Sequence, residues 1–246
     1  PGKMLLIALE QGRMIEDDEL KANVVHTKPY KQWIENLRIK LDEVVIPADF
    51  PHPATALPLL ERQQAFGFTQ EDIKFLLAPM AKNGEEGIGS MGNDSPLAVL
   101  SDKNKPLYNY FRQMFAQVTN PPLDSIREEV VTSLALGLGP ERNLLDWGPD
   151  HTRTITLDFP VIDNDELAKI RHIDKAMPGR SSATIRGLYH FDAGPQTLQD
   201  RLTEMCAEVD EAIENGAEFI ILSDRDSNKD LTPIPSLLMV SAIHHH

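Results

Sequence analysis

Apolar positions follow two rhythms along the chain, and the change comes near residue 153. Before it, most recur at the three- and four-residue spacing of amphipathic helices; after it, strand-like runs alternate with helical stretches. Residues 4–9 read as an apolar strand, Glu10, Gln11 and Gly12 as a turn, and residues 13–15 as the returning strand. A two-stranded ribbon is marginal by itself, so this one is expected to extend a sheet lying upstream. Residues 16–25 begin with acidic side chains, as a helix N-terminus prefers. After Pro29 the stripe Tyr30, Trp33, Ile34, Leu37 and Leu41 predicts a second, longer helix, and the pair reads as a helical linker.

Pro47, Pro51, Pro53 and Pro58 mark a boundary or an extended crossing segment. Helix is expected again over residues 59–66, stopping at Gly67. A capped helix then starts at Thr69, with Asp72 at the capping-box position, and Pro79 should kink or end it. Residues 89–131 hold two restricted segments around one apolar stripe. GSMGND has the composition of a tight loop, and VTNPP is a proline-fixed bend. Between them Leu107, Tyr110, Phe111, Met114 and Phe115 predict an amphipathic helix. A further helix is expected over residues 124–138, broken by Gly137, Gly139 and Pro140.

The second part reads as strand 154–159, helix 164–173, strand 183–189, helix 196–215, strand 218–222 and helix 234–243. That order, β-α-β-α-β-α with short connections, predicts a parallel sheet with crossover helices. The fold class is therefore α/β: a helical N-terminal part, then half of a flavodoxin-like sheet or an incomplete βα barrel. Periodicity does not choose between the two.

With 41% hydrophobic and 25% charged residues, the composition is that of an ordinary globular protein. The formal net charge of −14, from 24 basic against 38 acidic residues, argues against nucleic acid and against anionic membrane surfaces. The single cysteine, Cys206, excludes an internal disulfide and any multi-cysteine metal or iron–sulfur site built from this chain alone. It falls beside Met205 and Val209 in a predicted helix and reads as half-buried packing. The opening PGKMLLIALEQG is not expected to be a secretory signal, and a chain that opens on Pro and closes on three histidines reads as an excised piece.

Candidate chemistry is sparse. GIGSMG, residues 87–92, lacks both the GxGxxG spacing and a following Lys-Ser or Lys-Thr, so it reads as a structural loop whose glycines let the chain approach another domain closely. Ser223, Asp224 and Arg225 follow a strand at the end of a parallel sheet, where ligands bind. Asp224 is thus either a catalytic candidate or a brace for its own loop. His244, His245 and His246 point in different directions around a helix and make a poor metal site. His26, His52, His151, His172 and His190 are scattered, and no serine has a nucleophile-elbow context.

The segment GSMGNDSPLAVLSDKNKPLYNYFRQMFAQVTNPPLDSIREE resembles the central region of the glutamate synthase large polypeptide. PGKMLLIALEQGRMIEDDELK is similar to the end of that family's amidotransferase domain. FGFTQEDIKFLLAPMAKNGEEGIGSMG and PIPSLLMVSAIHHH are similar to the start and a late part of its central domain. The resemblance implies a division into residues 1–45, the end of the amidotransferase domain with a helical linker, and residues 46–246, a central domain truncated at its C-terminus. It favours the incomplete, rudimentary barrel-like sheet. It implies a parent oxidoreductase that makes two glutamates from glutamine and 2-oxoglutarate, with ammonia passing through an internal channel to an FMN site fed by an iron–sulfur cluster. The family's nucleophilic cysteine lies upstream and its FMN pocket and cluster downstream, so no catalytic, cofactor or metal residue is expected in this chain.

On the resemblance, the chain's role is to space the two sites and to line part of the ammonia path. The implied interdomain or channel residues are Ser90, Met91, Gly92, Asn93, Asp94, Thr119, Asn120 and Pro121. Implied partners are the amidotransferase and FMN-binding domains of the same polypeptide, and an electron donor that is ferredoxin or a nicotinamide-dependent small subunit. Implied surroundings are the cytoplasm, or the plastid stroma in a plant or alga. The competing expectation is a free-standing α/β enzyme or ligand-binding domain with its site near Asp224. That reading predicts a cleft with convergent polar groups there; the spacer reading predicts exposed apolar patches where neighbouring domains belong.

Overall fold

The turn Glu10-Gln11-Gly12 does close a hairpin, pairing β1 (Leu6–Ala8) antiparallel with β2 (Arg13–Ile15). The computed structural model describes residues 2–45, 57–85, 87, 97–111, 116, 118–194 and 196–246. After the hairpin come α1 (Asp17–Val25), with three acids in its first turn, and α2 (Tyr30–Leu37). Then follow β3 (Ile39–Lys40), a 3-10 turn at Leu41–Glu43, and α3 (Leu59–Ala65). A π-helical turn, Asp72–Leu77, runs directly into α4 (Ala78–Asn83). Next are α5 (Ser125–Val131), β4 (Leu136–Leu138), β5 (Ile155–Leu157), α6 (Asn164–Arg171) and α7 (Ile173–Ala176). The chain continues with β6 (Ser182–Arg186), β7 (Leu188–His190), α8 (Gln196–Glu214), β8 (Phe219–Ser223), β9 (Leu231–Pro233) and α9 (Ser236–His245).

These elements form two compact units that interleave along the chain: Pro1–Pro47 with Leu134–Ser181, and Ala48–Ser133 with Ser182–His246. The first is built on the sheet β3-β5-β4. Ile155 pairs with Ile39 in parallel on one side and with Leu138 in antiparallel on the other. Ile155 and Leu157 are buried, as are Leu41, Val44, Ile170 and Ile173 of the same unit. Asp163 starts α6 with a complete capping box: its carboxylate accepts from the Asp165 and Glu166 amides, and the Glu166 carboxylate accepts from the Asp163 amide.

The second unit carries a βαβ element. β6 and β8 pair in parallel, Ser182 with Phe219 through Arg186 with Ser223, and α8 connects them by way of β7. β7 and β9 form a separate antiparallel pair. Ile185, Met205, Val209, Ile234 and Met239 make the core between these strands and α8 and α9. Arg201 on α8 forks onto Glu208, adds Glu204, and donates to the Arg186 carbonyl, tying the helix to the end of β6.

The chain is mixed α/β, with small sheets and, among the described residues, no closed barrel. Several predicted elements differ from what forms. The apolar stripe starting at Leu107 makes only a 3-10 turn, Leu107–Tyr110, and Phe111 is extended; Met114 and Phe115 lie outside the described residues. Tyr110 and Phe111 stay exposed, and a short helix without a buried face has little to hold it. The α2 stripe stops at Leu37, because Ile39 is taken by pairing with β5, and Leu41 is buried in the turn that follows. The helix expected to reach residue 138 ends at Val131, since Leu136 and Leu138 pair with β5 instead.

The expected single sheet is also divided: β5 belongs to one unit, β6 and β8 to the other. The strand read over residues 183–189 breaks at Gly187, whose amide donates to the Ser223 carbonyl while its own carbonyl accepts from Ile234. Pro79 neither ends nor breaks its helix. It sits in the first turn of α4, where a missing N–H costs nothing, and the irregularity appears as the π turn before it. The Thr69–Asp72 box forms as read, each side chain accepting from the other residue's amide.

Candidate functional site

Two places bear on function: the segments at either end of residues 89–131, and the strand end at Asp224. Ser90, Met91, Gly92, Asn93 and Asp94 lie outside the described residues. Gly87, which leads into that segment, makes a close approach within its own unit rather than to another domain. A Cβ there would fall 2.5 Å from the Phe75 carbonyl oxygen in the π turn, so only glycine fits against that backbone. Thr119, Asn120 and Pro121 are exposed in an irregular stretch that ends where the Asp124 carboxylate accepts from the Arg127 amide and starts α5. α5 in turn presents Ile126 and Val130, one helical turn apart, to solvent.

At the other place, a cleft of about 230 Å³ opens at the C-terminal end of β8. Its lining includes Asp224, Lys105, Tyr108, Phe66, Pro235 and Ser236. The Tyr108 hydroxyl lies 2.6 Å from Ser236 Oγ at the start of α9 and accepts a long bond from the Leu237 amide. A phenol is too weak a base at neutral pH to activate a serine, so this pair positions the loop against α9 rather than forming a nucleophile. Asp224 and Lys105 could orient a small polar molecule; Tyr108 and Ser236, 128 residues apart, carried no sequence signal linking them. Beyond the cleft, Arg186 pairs with Asp226, which holds a left-handed φ of 70°.

Among the described residues, no three of His, Cys, Asp and Glu could hold a metal ion together. His246 pairs with Asp210, and Cys206 is half-buried on α8, as read. At the junction of α6 and α7, partial burial and then the nearby Lys175 and Arg171 hold the His172 imidazole below its usual pKa. The unfolded chain therefore binds this proton more readily. Stability from neutral His172 is present above the ordinary histidine value and is lost as pH falls through the depressed one. Replacing His172→Gln should flatten that acid-side slope, measured as the urea midpoint across pH 5 to 7; an unchanged slope would remove His172 as its source.

Exposed apolar side chains occur along much of the chain, and some are neighbours in sequence. The hairpin leaves Leu6, Ile7, Leu9 and Met14 exposed, and the π turn leaves Phe75, Leu76 and Leu77 so. In the first unit Leu144, Leu145 and Trp147 stand out in one short turn. No helix of the described residues is long and apolar enough to cross a membrane.

Comparison with known proteins accounts for the chain end to end. The family profile of the glutamate synthase central domain matches residues 61–246, and that of class-II glutamine amidotransferases matches residues 1–33. Over its whole length the chain is 44% identical to a glutamate synthase [NADPH] large chain of Bacillus subtilis and 40% to one of Azospirillum brasilense. It is 38% identical to a chloroplastic ferredoxin-dependent glutamate synthase 2 of Arabidopsis thaliana. The chain spans only 16%, 16% and 15% of these three relatives.

Proposed function

We propose, given that this chain belongs to the glutamate synthase central-domain family, that it is the connecting part of a glutamate synthase large polypeptide. In this reading residues 1–45 end the amidotransferase domain and residues 46–246 belong to the central domain. The chain fixes the spacing between a glutamine-hydrolysing site and an FMN site, and lines part of the ammonia path between them. The parent turns glutamine and 2-oxoglutarate into two glutamates, with electrons from ferredoxin or a nicotinamide-dependent subunit, in a cytoplasm or a plastid stroma. The observation that carries the reading is full coverage of this chain against a sixth or less of relatives bearing one name.

The chain's own residues fit a connecting role. One cysteine cannot supply the ligands of an iron–sulfur cluster, so the cluster belongs elsewhere in the polypeptide. The parallel pair β6–β8 with its crossover helix is what the start of a rudimentary barrel would require, with later strands completing it. Ser90, Met91, Gly92, Asn93, Asp94, Thr119, Asn120 and Pro121 are the proposed path residues; among the described ones, Thr119 and Asn120 offer polar side chains and Pro121 a fixed φ. Exposed apolar surface on α5 supports burial against neighbouring domains.

A second reading rests on the cleft beside Asp224, which suits a free-standing α/β domain that binds a small ligand. The size of the native polypeptide separates the two. An immunoblot of source cells should show a band several times larger than 27.5 kDa. A band near that mass would overturn the connecting role and make Asp224 the residue to substitute.

A further inference from the structure

We infer that the turn carrying Leu144, Leu145 and Trp147 is a docking knuckle for the amidotransferase domain of the same polypeptide, an inference that rests on the reading above. Asn143 opens the turn: its carbonyl accepts from the Asp146 amide and its side-chain oxygen accepts from Leu145. That hydrogen bonding leaves Leu144 and Leu145 at the two central positions, where small or polar residues are usual. They are 90% and 87% exposed, and Trp147 beside them is 60% exposed. Adjacent leucines at a turn tip gain nothing in water, whereas an apolar tip flanked by polar residues suits insertion into a complementary pocket.

The occupant follows from what the knuckle already touches. The Lys28 ammonium donates to the Trp147 carbonyl, and the same ammonium lies over the Trp33 ring. Close by in sequence, the Thr152 hydroxyl donates to the Pro149 carbonyl at 2.7 Å and lies 3.2 Å from that of Trp33, and the 3-10 turn Pro149–Thr152 packs on α2. Lys28 and Trp33 lie within residues 1–33, the part that matches class-II amidotransferases. The knuckle is thus held against the last piece of that domain by contacts within one compact unit. Its unfilled apolar tip continues the same interface onto the body of the domain. The hairpin, with Leu6, Ile7 and Leu9 exposed in the same stretch of sequence, calls for cover from the same neighbour.

The test is photo-cross-linking in the full-length polypeptide, with p-benzoylphenylalanine in place of Leu145. Cross-linked peptides should come from the amidotransferase domain. Peptides only from the FMN-binding part, peptides only from a second copy, or no cross-link would each overturn the assignment. The size of the native polypeptide keeps the two failures apart. A polypeptide with no amidotransferase domain fails the connecting role; a full-length one that cross-links elsewhere fails the knuckle alone.

Discussion

Ile155→Ala should cost the first unit about 3–5 kcal/mol, toward the upper part of the range for a buried large-to-small change. Ile155 has no solvent exposure and sits on the central strand of β3-β5-β4. The backbone cannot sink into the hole left by the deleted carbons, because strands on both sides hold it. Ile39 pairs with it in parallel and Leu138 in antiparallel. The lost contacts are therefore not recovered by collapse, and the cavity contribution adds to the transfer contribution. Total stabilities of domains are about 5–15 kcal/mol, so this one change would consume a large fraction. Ile155→Val, which keeps the branch at Cβ, should cost only about 1 kcal/mol. Urea unfolding checks both: the midpoint should fall in that order with the slope unchanged. Equal, small shifts for the two variants would mean that the strand is not the centre of this unit.

What the sequence made legible follows from how each element is stabilised. Caps and turns are local, and the hairpin, the Thr69–Asp72 box and the termination of α3 at Gly67 were readable from adjacent residues. The long amphipathic helix α8 was readable because nineteen residues give a period time to repeat. β3, with two residues, has no period at all, and its existence depends on β5 more than a hundred residues away. β4 was missed although Leu134, Leu136 and Leu138 alternate as a strand does, because the helix starting after Asp124 was read on through them to Gly137. The stripe from Leu107 shows the converse, a helical pattern in which Leu107 is half-buried while Tyr110 and Phe111 face water.

For the site, the resemblance carried the family and the side chains carried less. The cleft beside Asp224 was foreseeable from its place after a parallel strand, but Tyr108 and Ser236 meet there only through tertiary packing. The knuckle at Leu144 and Leu145 could have been suspected from two leucines followed by an Asp-Trp-Gly-Pro run. Sequence does not say whether such leucines are buried. The spacer expectation of exposed apolar patches is met on the hairpin, the π turn, α5 and the knuckle. These patches and the cleft occupy different residues, so the two functional readings differ in which surface they would have a partner cover.

Gly187→Ala should disrupt the core of the second unit strongly, at about 3 kcal/mol, the upper end of overpacking costs. The residue joins β6 to β7, and its backbone is fixed from both sides by bonds to Ser223 and Ile234 at 2.7 and 2.8 Å. A Cβ added there would lie 1.9 Å from Met239 Sδ, far inside van der Waals contact. Met239 is an adaptable side chain, and in an open site it would swing aside for little cost. Here it is 2% exposed and packed in the core with Ile185, Met205, Val209 and Ile234, so its alternative rotamers are already occupied. The strain should therefore be specific to this pair. Met239→Ala alone should cost about 2–5 kcal/mol as a cavity. In the double variant the new methyl enters the space that Met239 vacates, so the two costs should sum to more than the double variant loses. A coupling of about 1 kcal/mol or more in that cycle, from urea midpoints, would locate the clash at Met239. Strict additivity would mean that Gly187 is required by its backbone alone, and that the break between β6 and β7 does not depend on what packs above it.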